Sequence, residues 1–391
     1  MKRLLLVGAG HSHLEVVKSF RQGIPQGWQV LLLSASGQGF YSGMVPGYIA
    51  GDYRLDDLTI DIAALCERCG VLFECAMVKS IDPAAQTVLA QVAEGGRLLD
   101  GQKALLHFDY DVLSINTGSQ SLPVGDLAHT GSGRYQGLVP VKPVEGLLRA
   151  WSSLLANTGA GSRRIVIVGN GAAGVELAFA MQHFFSGRSP ASSSVPTRTA
   201  EVILLGKQAE ALQGFNRVTR NRVAALLRKS GIVCRGGFEV AAIERGRLIA
   251  VSGDEQAFDK CFWAAGAHSA VAADNFPFRC DVEGFIEVEP SLQVAGFGNV
   301  FAAGDAVSLL GQPCPKAGVY AVRQGRVLAS NLKHSMRAEP LETYRPQSAY
   351  LALLNLGNRY ALANRGGFSV AGKWVWRWKN FIDKRYIAGF R

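Results

Sequence analysis

The chain has 391 residues, 48% hydrophobic and 18% charged, with 45 glycines and 14 prolines; this is an ordinary globular composition with a glycine excess, long enough for two or three cores, and it excludes a disordered chain. The formal net charge of +10 comes without a long basic run or zinc-finger spacing, so no nucleic-acid partner is expected. The seven cysteines are scattered and odd in number, which excludes a secreted disulfide framework.

The chain opens on "RLLLVGAGHSHLEVVKSF": a continuous apolar run, a glycine turn, then a helical pattern. Such a run reads as a strand buried on both faces. No signal-peptide pattern precedes it and no apolar run reaches transmembrane length, so a cytoplasmic protein is expected, with peripheral contact to the inner face of a membrane left open. "WQVLLLSAS" is a second strand ending near Ser34, which completes a βαβ unit. Residues 37–54, "GQGFYSGMVPGYIAGDYR", read as loop or short helix rather than strand, and 57–69 read as helix. "GVLFECAMVKSIDPAAQTVLA" alternates like a strand that turns at Asp82–Pro83. "LLHFDYDVLSINTGS" reads as one further strand, turning at Asn116–Ser119.

At Arg163 the opening pattern returns as "RRIVIVGNGAAGVELAFAMQHFF". Residues 186–200 lack periodicity and read as an exposed loop. Next come the strand "EVILLG", a helix over 216–229, short strands at "GIVCRGG" and "RLIAVSG", and "KCFWAAG", which closes the unit near Gly266. "NVFAAGDAV" reads as a strand over 299–307, with a helix from about Ala317 to Leu332. The two strand–glycine-loop–helix units lie about 160 residues apart, a separation that suits two dinucleotide domains rather than two halves of one.

In the first loop Gly8 permits the tight turn and Gly10 lets the backbone approach a pyrophosphate at the helix N-terminus. His13 stands where a third glycine normally allows close helix–strand packing, so the packing must open or the imidazole must point away. His11 and His13 flank the loop and read as packing groups at the helix start or as proton carriers. The second loop has all three glycines, Gly169, Gly171 and Gly174, with Glu176 following in the helix. Neither unit has the usual ribose-binding acid. Ser34 ends the first unit's second strand, and Gly206–Lys207 ends the second's, where Lys207 reads as a solvated lysine or as a partner for a 2′-phosphate.

In this order, "GAGHSH", "NTGS" (116–119), "GNGAAG", "WAAG" (263–266) and "NVFAAGDAV" resemble the two-dinucleotide-domain flavoproteins, a family that includes type II NADH dehydrogenases, sulfide:quinone oxidoreductases and pyridine nucleotide-disulfide oxidoreductases. "YSGMVPGYIAGDY" and "WRWKNFIDKRYI" resemble the branch found fused ahead of selenide, water dikinase. The resemblance implies an α/β fold with two Rossmann-like domains of the glutathione-reductase type. Residues 1–145 and 270–340 would bind FAD, 146–269 would bind NAD(P)H, and 341–391 would form a C-terminal extension. It assigns Gly8, Gly10 and the following helix, with His11 and His13, to the FAD pyrophosphate and Ser34 to its ribose. Thr117 and Gly118 would lie near the FAD, and Asp305 with Gly304 would meet its ribityl or phosphate region. Lys316, Ala317 and Gly318 would face the pyrimidine edge of the ring system. Gly169, Gly171, Gly174 and Glu176, with Lys207, would hold NAD(P)H.

The disulfide reductases of that family carry a cysteine pair where this chain has "YSGMVPG", so thiol exchange is not expected. Cys66 and Cys69 form C-x2-C, with Cys75 following but no fourth ligand nearby, and read as buried apolar residues or as a redox pair far from the expected flavin site. Cys314 precedes Lys316 by two residues and is a candidate for attack on a chalcogen. The tail from Lys373 mixes Trp374, Trp376, Trp378, Phe381 and Tyr386 with basic residues; its tryptophans alternate as in a strand, and it suits a membrane surface, a homodimer contact or a cover over the flavin domain. The expected function is an FAD-dependent oxidoreductase that passes electrons from NAD(P)H to a quinone or another small acceptor. Sulfide or selenide oxidation through Cys314, and a non-catalytic flavin-binding sensor, are the alternatives.

Overall fold

A computed structural model describes residues 1–93, 105–121, 137–156, 163–187, 200–244, 246–270 and 276–391. The apolar run Lys2–Val7 becomes an inner strand of a seven-stranded sheet, with Leu4, Leu5 and Leu6 fully buried. It pairs in parallel with Trp28–Ser34 on one side and Val112–Ile115 on the other. Strand Val300–Ala302 adds to Val112–Ile115, and Leu72–Asp82 adds to Trp28–Ser34, both in parallel. Thr87–Val92 and Leu105–Asp109 finish the sheet as an antiparallel meander. Among the described residues the helices are α1 (His11–Ser19), α2 (Val45–Ile49), α3 (Leu55–Leu58), α4 (Ile62–Arg68), α5 (Val144–Ala156), α6 (Ala172–Phe185), α7 (Arg217–Lys229), α8 (Gly318–Arg337) and α9 (Lys373–Ala388).

A second sheet has five parallel strands in the order 138–140, 260–263, 163–168, 200–206, 233–236. Its central strand Arg163–Val168 feeds the glycine loop before α6, as Lys2–Val7 feeds the loop before α1. An antiparallel hairpin pair, 240–244, 247–250 and 255–257, lies beside it. Strands Ala352–Asn355, Ala361–Arg365 and Phe368–Gly372 form a three-stranded antiparallel sheet that leads into α9.

Four expectations change. The single strand over "LLHFDYDVLSI" breaks at Tyr110–Asp111, where the chain leaves the meander for the parallel edge and Asp111 accepts the Arg3 N–H at 2.6 Å. Residues 38–40 and 59–61, expected as loop and helix, pair as a short antiparallel ribbon, and α4 starts only at Ile62, capped by Asp61. "NVFAAGDAV" is interrupted at Gly304, whose φ of +75° suits glycine and turns the chain into one helical turn over Gly304–Ala306. The tail is a helix, not a strand. Val375, Lys379, Asp383 and Ile387 recur every four residues as its buried stripe, which the alternating tryptophans obscure in the sequence. Of the expected exposed loop 186–200, residues 188–199 lie outside the described residues.

Helices α1 and α8 cross in contact. A Cβ on Gly325 would lie 2.8 Å from Ser12 Cα, and the Ser12 hydroxyl donates to the Ala321 carbonyl at 2.7 Å. This contact brings the start of α8 against the first glycine loop: a Cβ on Gly318 would sit 4.0 Å from His11.

Candidate active site

The first loop is organised by Asn116. Its carbonyl accepts from the Gly10 N–H at 3.3 Å, its Oδ1 accepts from the His13 N–H at 3.2 Å, and its Nδ2 donates to the Ala303 carbonyl at 2.7 Å. One side chain thus ties "GAGHSH", "NTGS" and "AAGD" together. Gly8 has φ +86°, and a Cβ there would lie 2.5 Å from the Asn116 carbonyl oxygen, so no other residue fits. Gly304 N–H donates to Gln324 Oε1 at 2.6 Å, which fixes the second contact strand to α8.

His13 does not point away. It is fully buried, with Nδ1 2.6 Å from the Gly8 carbonyl and Nε2 2.8 Å from Ser114 Oγ. A carbonyl only accepts, so Nδ1 carries the proton and Nε2 accepts the Ser114 hydroxyl. Burial holds this imidazole down at about 4, so it stays neutral.

Asp305 accepts from Lys142 Nζ at 2.6 Å and from Ser119 Oγ at 3.3 Å, and Lys142 also reaches Ser119 Oγ at 3.1 Å. Lys142 follows strand Leu138–Pro140 of the five-stranded sheet, so the pair joins the two sheets' loops. Thr117 Oγ1 and His11 Nε2 are buried without a hydrogen-bond partner, and Gly118 has φ +77° with open space beside it. Ser34, at the end of its strand, only accepts a long bond from the Ser36 N–H at 3.4 Å.

Lys316 turns its ammonium toward the Val307 carbonyl and over the Phe285 ring, 3.7 Å from the centroid; burial lowers its pKa. Ala317 and Gly318 open α8 with no side-chain cap. The Cys314 thiol is met by Gln324 Nε2 at 3.7 Å, and burial pushes its pKa upward, which disfavours the thiolate. Cys66 and Cys69 are buried, with the Cys66 thiol pushed up to about 12. Among the described residues no group of histidine, cysteine and acidic side chains is placed to hold a metal ion.

In the second loop, a Cβ on Gly174 would lie 1.8 Å from the Gly169 carbonyl oxygen, so the third glycine brings helix and loop into contact. Gly169, at φ +113°, lies over the Ala264–Ala265 peptide of "WAAG". Gly171 precedes α6 with nothing beside it. Glu176 turns away from that loop: its Oε1 accepts from the Asn355 N–H at 2.7 Å, and burial raises its pKa to about 7 against the pull of Lys379. Lys207 is paired with Glu239 at 2.7 Å.

Helix α9, which carries "WRWKNFIDKRYI", supplies a further wall. Tyr41 stands between His11, at a ring distance of 5.7 Å, and Tyr386, at 4.8 Å. Its hydroxyl donates to Asp383 Oδ1 at 3.2 Å, Lys379 Nζ donates to Asp383 Oδ2 at 2.7 Å, and Lys379 also bonds the Gly43 carbonyl at 2.8 Å. The charge of Glu176 also bears on Tyr41. His11 of α1 thus packs beside Tyr41, and the charge of Glu176 of α6 is felt at the same phenol.

Helices α1, α6 and α8 all begin without a side-chain cap and without an acid in the first turn. Their N-terminal N–H groups and dipoles suit phosphate-bearing or anionic groups. With the unpartnered Thr117 hydroxyl and His11 nitrogen, these residues fit a dinucleotide cofactor. Lys142 and Gln324 escaped the sequence reading altogether; Asn116 lay within "NTGS", and Lys379, Asp383 and Tyr386 within "WRWKNFIDKRYI", without a role in the site being assigned to them.

The pyridine nucleotide-disulphide oxidoreductase pattern matches residues 2–325. The ferroptosis suppressor protein 1 of Taeniopygia guttata is 25% identical over 77% of this chain and 73% of its own. The type II NADH:quinone oxidoreductase of Staphylococcus aureus is 22% identical over 99% and 95%. Among solved structures, the sulfide:quinone oxidoreductase of Aquifex aeolicus superposes with a TM-score of 0.78 over 100% of this chain and 92% of its own at 16% identity. NDH2 of Plasmodium falciparum, in complex with NADH, gives 0.76 over 98% and 97% at 12% identity.

Proposed function

Since the chain belongs to the pyridine nucleotide-disulphide oxidoreductase family, we propose that it is an FAD-dependent enzyme that passes electrons from NAD(P)H to a quinone. The observation that carries this reading is the pair of strand–glycine-loop–helix units, with the Lys142–Asp305 bond joining the loops of their two sheets. The relatives named as NADH:quinone oxidoreductases support the quinone as acceptor.

The bound flavin supplies the two-electron chemistry; the protein binds, orients and excludes water. Residues 1–145 and 270–340 would hold FAD, with Gly8, Gly10 and the α1 N-terminus at its pyrophosphate, Thr117 and Asp305 along its chain, and the uncapped start of α8 at the ring's anionic edge. Residues 146–269 would hold the nicotinamide nucleotide on the α6 N-terminus. Lys142, bonded to Asp305, holds that second unit against the first. Lys207 is paired with Glu239 on the surface, which partly offsets its charge toward a 2′-phosphate. Cys314, held as a thiol, gives no support to chalcogen attack.

No helix among the described residues is long and apolar enough to cross a membrane. We place the outer face of α9 on a bilayer surface: Trp374, Trp378, Phe381 and Ile382 are exposed beside Lys373, Arg377, Lys384 and Arg385. The central test is anaerobic. NADH should bleach the flavin of the purified protein, and a short-chain quinone should restore the colour. A flavin that neither NADH nor NADPH reduces would overturn the reading.

A further inference from the structure

The acceptor side of this chemistry has an unpaid proton. A quinone becomes a quinol by taking two electrons and two protons, whereas NADH supplies two electrons and one proton. The second proton must come through the protein.

We propose that Tyr41 gives that proton to the acceptor and is reloaded through Asp383 and Lys379. The inference rests on the functional reading above. Lys379 and Asp383 are 5% and 3% exposed, and they form an ion pair buried in the inner stripe of α9, where apolar residues would pack as well. Lys379 donates to one oxygen of the Asp383 carboxylate at 2.7 Å, and the Tyr41 hydroxyl donates to the other at 3.2 Å. Tyr41 in turn stands against His11, the first residue of the helix that follows the first glycine loop.

In the step, a new O–H bond forms at the acceptor's reduced oxygen as the Tyr41 O–H bond breaks. Lys379 passes a proton to the Asp383 carboxylate, the resulting carboxyl passes one to the phenolate, and the neutral Lys379 amine takes its proton back from solvent. Burial, together with the charge of Asp383, pushes the phenol's pKa well above its ordinary value. Tyr41 therefore keeps its proton at rest and yields it only to an oxyanion more basic than its own phenolate. Asp383 and Lys379 act through Tyr41 and are positioning residues.

The test separates the half-reactions in the full-length, FAD-loaded protein. In Tyr41→Phe, NADH should bleach the flavin at a rate within roughly twofold of the parent, and reoxidation by a short-chain ubiquinone should slow about 100-fold. Reoxidation by ferricyanide, which takes an electron without a proton, should stay unchanged. Ubiquinone binding to the oxidised protein, read by quenching of tryptophan fluorescence, should also stay unchanged. Asp383→Asn should slow the same step and leave ferricyanide alone. Equal losses with both oxidants, or no loss with ubiquinone, would overturn the proposal, and selective slowing in Glu176→Gln instead would move the role to Glu176. A parent protein that ubiquinone fails to reoxidise would sink the functional reading and this inference with it, whereas a silent Tyr41→Phe in a working parent would sink only the inference.

Discussion

His13 Nδ1 lies 2.6 Å from the Gly8 carbonyl, so the residue that displaces the third glycine of the loop becomes the brace of the first. This imidazole is neutral in the folded chain, held down at about 4 against 6.5 in the unfolded chain. The unfolded state binds the proton first as pH falls. The stability from His13 is therefore complete above 6.5 and drains away toward 4, by up to about 3 kcal/mol. His13→Gln should be less stable at pH 7 through the lost bonds, yet lose less stability than the parent between pH 6.5 and 4. Urea unfolding at both ends of that window measures it, and parallel curves would refute the assignment.

Glu176 runs the other way. Its pKa rises from 4.5 to about 7, so the folded state holds the extra proton and stability falls as pH climbs through that window. Glu176→Gln keeps the acceptor for the Asn355 N–H and removes the charge. It should match the parent near pH 5 and exceed it by about 2 kcal/mol at pH 8, after allowance for partial solvent access. Thermal melts at the two pH values decide; a variant less stable at pH 8 would show that the Lys379 attraction outweighs burial.

The exposed aromatics of α9 predict a surface effect. Replacing Trp374, Trp378 and Phe381 together with serine should cut flotation with anionic vesicles at least about tenfold while leaving the flavin spectrum intact, because the buried stripe is untouched. High salt should weaken binding of the parent as well. Unchanged flotation with a shift from dimer to monomer in gel filtration would assign the face to a second copy instead.

The parallel strands were legible because their apolar runs are continuous and end in glycine turns. The loops Gly8–Gly10 and Gly169–Gly174 were legible because backbone proximity restricts residue choice: a Cβ at Gly174 would stand 1.8 Å from an oxygen. The α9 wall was not. Tyr41 and Asp383 are brought together by tertiary packing across 342 positions, and although each lies in a quoted stretch, nothing local shows that they meet. The break at Tyr110–Asp111 was missed because both flanking strands are apolar and only their partners differ in direction. Lys142 lies outside every motif, and its role depends on where the five-stranded sheet is docked.

The edge strand Val300–Ala302 pairs with Val112–Ile115, and every strand of the five-stranded sheet lies between them in sequence. During translation, the later sheet can therefore close while the earlier one is still missing its border. At ribosomal speeds the gap of nearly two hundred residues lasts about 10–40 seconds. Throughout that interval Val112–Ile115 offers bare backbone to any neighbour, which marks this moment as the one when the nascent polypeptide most needs a chaperone.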